Sequence, residues 1–203
     1  MDQLVPDVTD IVIETPLGSI TVRLEAAKAP VTTANVLSYI ERGFYDGGRF
    51  HRTVRLDNQS NANLKVEASD LGIDASPGVK PMPNDAIAIE VIQGGINPER
   101  KAEQGPGIRL ERTSETGLRH IDGAISMART TVDSAVSDFF ICVNDQPELD
   151  FGGQRNIDGQ GFAAFGMVTN GMDIVRAIQT SPSGGQSLTP TIPIIRITRR
   201  FAS

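Results

Sequence analysis

The sequence has 203 residues, enough for one domain with a sizeable core. Hydrophobic residues make up 39% and charged residues 22%, and the formal net charge of −6 argues against binding a nucleic-acid backbone, since no Lys/Arg cluster overrules it. No apolar run is long enough for a membrane-spanning helix, and a lone cysteine, Cys142, excludes an internal disulfide.

Residues 1–9 form a polar leader with neither the basic start nor the apolar run of a secretory signal. The expectation is action in the cytoplasm, or in the periplasm if a signal segment has been removed. β-Branched residues over 11–15, a Pro-Leu-Gly-Ser turn and strict alternation over 20–25 predict a β-hairpin. Pro30 and a capping Thr32 or Thr33 open a helix whose Val36, Leu37, Ile40 and Phe44 share one face, and Gly43 stops it. A Gly47-Gly48 turn then leads into a strand over 48–54. Strict alternation along that strand would put Phe50 and Arg52 on one face and His51 on the other, a fixed cation beside an apolar surface.

Residues 55–86 hold no persistent period and are rich in Asn, Asp, Ser, Gly and Pro. They read as an insert within the domain, either a lid or partner-binding arm or a solvated excursion on the outside. A strand over 87–93 ends at Gly94-Gly95, and 96–119 is irregular. Strand-like runs follow at 123–128, 138–143, 162–168 and 192–198, while 144–161 is dominated by turn residues. Met172, Val175 and Ile178 repeat at helical spacing over 171–179, with Pro182 just beyond the end. About eight strands and two helices in a single domain over 1–203 predict a mainly β fold, an antiparallel barrel or sandwich with helices over its open ends.

Much familiar chemistry has no support. His51 and His120 are the only histidines, and no Cys/His spacing matches a zinc site. The run Asn156-Ile157-Asp158-Gly159 lacks the spaced carboxylates of a calcium loop. No phosphate-binding glycine loop and no nucleophile elbow is present, so no metal or other cofactor is expected. Cys142 stands between apolar residues on a predicted strand and reads as a buried, inert thiol.

Six short motifs follow one another along the chain: Phe50-His51-Arg52, Gln93-Gly94-Gly95, Ser126-Met127-Ala128, Phe139-Phe140-Ile141, Leu149-Asp150 and Phe165-Gly166. Together they resemble the cyclophilin family of peptidyl-prolyl cis-trans isomerases, from about Ile11 to Ile197, and 144–166 is most similar to bacterial members. The resemblance implies a closed eight-stranded antiparallel barrel capped by two α-helices. It implies an enzyme that rotates Xaa-Pro peptide bonds, a step that needs no cofactor. The partners implied are proline-containing peptides and unfolded chains, engaged by a monomer.

By the same resemblance, Arg52 donates toward the prolyl nitrogen, and Gln93 orients Arg52 and contacts the substrate backbone. Phe140 forms the base of the proline pocket, Leu149 flanks it, and Ala128 lies beside the peptide. Phe50 and Val91 belong to the same peptide-binding set. The chain also departs from the family. Arg129 replaces an Asn whose main chain is used, Phe162 replaces a His, and Asp138 replaces a Gln. Glu90 falls where a pocket Phe is usual, and Glu148 where a Trp commonly contacts cyclosporin, so weak cyclosporin binding is expected. Glu90, Asp138 and Glu148 together motivate an alternative, a non-catalytic module that binds proline peptides on the same scaffold. A purely structural barrel, with the Arg52 strand as a core element, is a third reading.

Overall fold

The computed structural model describes residues 7–59 and 87–200; the greater part of the 55–86 insert, and with it the choice between lid and excursion, lies outside them. Thr9–Thr15 (β1) and Gly18–Leu24 (β2) form the expected hairpin, Thr15 pairing with Gly18 across the turn. The next strands are Gly48–Val54 (β3), Val91–Gly95 (β4), Ala124–Met127 (β5) and Phe139–Cys142 (β6). Ala164–Asn170 (β7), Ser183–Gly184 (β8), Ser187–Ile194 (β9) and Arg196–Arg200 (β10) complete the set.

These ten strands form one antiparallel sheet in the order β10-β1-β2-β7-β5-β6-β4-β3-β9-β8. The expected closed eight-stranded barrel is therefore corrected to a single open sheet, ended by β8 and β10. The extra strands come from the C-terminal region. The run expected as one strand over 192–198 divides at Ile195: β9 before it pairs with β3, and β10 after it pairs with β1. Pro190 and Pro193 remove ladder donors from β9, which suits a strand near a sheet edge.

Helix α1 (Pro30–Glu41) starts on proline, and its buried face carries Val36, Leu37 and Ile40 as the spacing predicts. Its N-terminus is not capped by threonine. Thr32 and Thr33 are themselves buried, and the N–H groups of Val31 and Thr32 donate instead to the Glu111 carboxylate at 3.0 and 2.8 Å. Thr113–Thr116 (α2) and two 3₁₀ turns, Pro98–Glu103 and Pro147–Leu149, add structure in stretches read as irregular. Met172–Gln179 (α3) buries Val175 and Ile178. No helix among the described residues is long and apolar enough to cross a membrane.

Alternation along β4 and β6 separates two apolar clusters. Ile92, Phe139 and Ile141 join the larger one, with Phe50, Phe165 and the apolar faces of α1 and α3. Val91, Phe140 and Cys142 join the smaller one, with Val54, Ile89 and Leu149. One wall of the sheet thus has the main core on one side and a second apolar surface on the other. Cys142 is fully buried there, and burial pushes its thiol well above its ordinary range, as expected of an inert thiol.

The insert is tied at its base. The side-chain amide of Gln59 pairs with the Ile89 backbone in both directions: Ile89 N donates to Oε1 at 3.0 Å, and Nε2 donates to Ile89 O at 2.9 Å. Asn58 Nδ2 donates to the carbonyls of Thr53 and Gly185 at 3.0 and 3.1 Å.

Candidate active site

The outer apolar surface opens into a groove of about 420 Å³. Its organising feature is a bulge in β3. Phe50 pairs with Gly94 and Arg52 with Gln93, leaving His51 as the extra residue on its strand. The bulge reverses the expected alternation, so Phe50 and Arg52 face opposite ways. Phe50 is fully buried in the larger core, edge-on to Phe139 at 5.8 Å, and does not line the groove. Arg52 does line it.

Arg52, Gln93 and Phe140 stand in register on three adjacent strands. Their side chains make one row across the groove wall, as cross-strand neighbours on a single face must. Arg52 Nη1 donates to Gln93 Oε1 at 3.0 Å. On its other edge, Nε and Nη2 donate to Gln186 Oε1 at 2.9 and 2.6 Å. The glycines after Gln93 leave room on both faces of the wall. A Cβ on Gly94 would lie 2.9 Å from the Phe50 ring, and one on Gly95 would lie 2.1 Å from Asp138 Oδ1.

Phe140 forms the apolar floor. Phe162 meets it edge-on at 5.5 Å, and His120 stacks behind it at 5.9 Å. His120 is buried and doubly fixed, by Asp150 Oδ1 at Nδ1 (2.7 Å) and by Ser126 Oγ at Nε2 (2.9 Å). Burial alone would raise the Asp150 carboxyl, but hydrogen bonds from His120 hold it below the usual carboxylate range. Leu149 reaches the floor from its 3₁₀ turn, where its carbonyl accepts the Phe162 N–H at 2.9 Å.

Arg129 also lines the groove. Its side chain is 1% exposed, and the guanidinium binds Asp158 through both terminal nitrogens, at 2.6 and 2.8 Å. It also donates to Gly161 O and lies 5.1 Å from the Phe162 ring. Burial would raise Asp158, but the Arg129 bonds hold it low. Asp138 lines the groove, with His51 Nε2 at 3.8 Å. Burial pushes His51 down, and Asp138 partly pulls it back up.

A family model for cyclophilin type peptidyl-prolyl cis-trans isomerase/CLD matches residues 10–199. The chain belongs to the cyclophilin family. Peptidyl-prolyl cis-trans isomerase A of Dickeya dadantii is 31% identical over 92% of this chain and 81% of its own length. Peptidyl-prolyl cis-trans isomerase B of Escherichia coli is 28% identical over 87% of each chain. The fold is shared with a Cryptosporidium parvum cyclophilin, at a TM-score of 0.67 and 18% identity over 97% of this chain and 99% of that one. The same parasite protein has been crystallised in the presence of the dipeptide Ala-Pro, at a TM-score of 0.65.

In this cyclophilin the groove is lined by Arg52, Val91, Gln93, Ala128, Arg129, Asp138, Phe140, Leu149 and Phe162 among others. Two acidic residues expected around it are elsewhere. Glu90 accepts from Asn144 Nδ2 at 2.9 Å, because alternation turns Ile89 and Val91 inward and Glu90 away. Glu148 accepts from the Gln154 N–H at 2.9 Å, outside the lining. Among the described residues, the charged ones that line the groove are Arg52, Lys101, Arg129, Arg155 and Asp138, so of the three acidic residues expected around it only Asp138 is there. Counting back by twos from Gln93 would have found Ile89. Nothing in the sequence marks Gln186, which follows two glycines in the β8–β9 turn.

Proposed function

We propose that this cyclophilin rotates Xaa-Pro peptide bonds in peptides and unfolded chains, with Arg52 as its electrophilic residue. The observation that carries this reading is the fixed guanidinium of Arg52 beside an apolar pocket floored by Phe140. Amide resonance sets a barrier of about 18–20 kcal/mol to rotation. In the twisted transition state the prolyl nitrogen regains its lone pair, which accepts an N–H from Arg52. A bond to a charged donor is worth about 1.5–3 kcal/mol, or roughly ten- to a hundredfold in rate. The rest comes from gripping the ring between Phe140, Leu149, Phe162 and Val91, while Gln93 meets the peptide backbone in a partly dry groove.

The step makes and breaks no covalent bond, so it needs neither nucleophile nor general base. Crystallisation of the Cryptosporidium parvum cyclophilin in the presence of Ala-Pro supports the same ligand class here. We take the protein to act on folding chains as a monomer, in the cytoplasm or the periplasm. The reading as a mere binding module loses two of its three motives, since Glu90 and Glu148 stand off the groove.

Exchange NMR on a short Ala-Pro peptide tests the proposal. Wild type should accelerate cis-trans exchange, and Arg52→Ala should lose roughly ten- to a hundredfold of that acceleration. Peptide binding with no acceleration by wild type would make the protein a recognition module. Cyclosporin should bind weakly because Glu148 supplies no aromatic surface; nanomolar inhibition would overturn that expectation.

A further inference from the structure

We propose that Gln186 is a positioning residue for Arg52, acting in the isomerase reaction through the orientation of the guanidinium. The inference rests on the isomerase reading of the groove. Gln93 and Gln186 together accept hydrogen bonds from all three guanidinium nitrogens, Nη1 on one edge and Nε with Nη2 on the other. Two of these three bonds belong to Gln186, including the shortest, at 2.6 Å. A planar fork gripped on both edges cannot swing about its long stem, so its remaining face is aimed before substrate arrives.

The chemistry of the clamp suits its geometry. Gln93 and Gln186 both accept through neutral amide oxygens, which orient the guanidinium without offsetting its positive charge as a carboxylate in either place would.

The scaffold presents Gln186 for this task. Its carbonyl accepts the Thr53 N–H at 2.9 Å, directly beside Arg52. The preceding carbonyl, of Gly185, is held by Asn58 Nδ2 at 3.1 Å. The turn between β8 and β9 is thus held through its own carbonyls, by the Thr53 N–H of β3 and the Asn58 side chain, independently of the Gln186 side chain. Truncating that side chain should therefore remove the clamp without undocking the turn.

The test uses the full chain and the variants Gln186→Ala, Arg52→Ala and the double variant. Exchange NMR on the Ala-Pro peptide gives kcat and KM, and the Arg52 Nε–H resonance, assigned by its loss in Arg52→Ala, reports the clamp directly. Gln186→Ala should lower kcat about tenfold with KM within about twofold, because orientation matters most in the transition state. The Arg52 Nε–H signal should shift and exchange faster with solvent. In the Arg52→Ala background, Gln186→Ala should have no further effect. An unchanged kcat in Gln186→Ala would overturn the proposal. So would a further loss in the double variant together with a lowered melting temperature, which would mark a structural role. If wild type itself does not accelerate exchange, the isomerase reading fails, and an unmoved Nε–H signal in Gln186→Ala would separately refute the clamp.

Discussion

Behind Phe140 a buried histidine links a buried serine to a partly exposed aspartate, and none of the three lines the groove. His120 supports the floor ring, and Asp150 supports His120. Because hydrogen bonds hold Asp150 below its ordinary value of 3.8, its carboxylate is bound more strongly in the folded than in the unfolded chain. That stabilisation is complete above the unfolded value and is lost as pH falls through the lower folded one. Asp150→Asn should melt at a lower temperature than wild type at neutral pH, and the gap should close below about pH 4. Thermal melts across pH check this; a gap that is constant with pH would mean that Asp150 acts by shape alone. The groove row of Arg52, Gln93 and Phe140 was legible in the sequence because tripeptides keep their spacing whatever the loops between them do. Phe50 was not, because one extra residue at His51 turns it through the wall, and no alternation rule reveals a bulge. Glu90 was misplaced for a related reason, since counting residues from Gln93 ignored which face each one takes.

Helices α1 and α3 were legible from apolar spacing alone, but the start of α1 was not. Its first N–H groups are satisfied by Glu111, a carboxylate 80 positions from Val31. An acceptor that distant leaves no local signature, and Thr32 and Thr33 offered a plausible but wrong cap. The bond also fastens the 96–119 stretch to the helix, where the carboxylate meets the positive end of the helix dipole. Glu111→Ala should destabilise the fold by about 1–2 kcal/mol, and more if the two N–H groups stay dry. Urea unfolding would show this as a lower midpoint at unchanged slope. An unmoved midpoint would mean that water replaces the carboxylate without loss.

At the scale of the whole molecule, strand number and sheet closure were the least legible features. Proline positions and the break at Ile195 decide which neighbour each half of the C-terminal run pairs with, and a hydrophobic pattern carries little of that. The division of labour across the wall was more accessible, since simple alternation on β6 sends Phe139 inward and Phe140 to the groove. The pairing of the Gln59 amide with the Ile89 backbone bears on the same wall. That side chain stands in for a peptide group and closes the ladder across the base of the insert. Replacing residues 61–86 by a short Gly/Ser bridge should therefore leave the melting temperature within a few degrees and the Ala-Pro exchange rate near wild type, because shortening a closed loop lowers its entropic cost. A collapse of either would mean that the insert holds the wall up. Gln59 makes this position a socket: segments of different length and sequence could be exchanged there, and a new binding specificity mounted beside the groove, without redesigning the domain beneath.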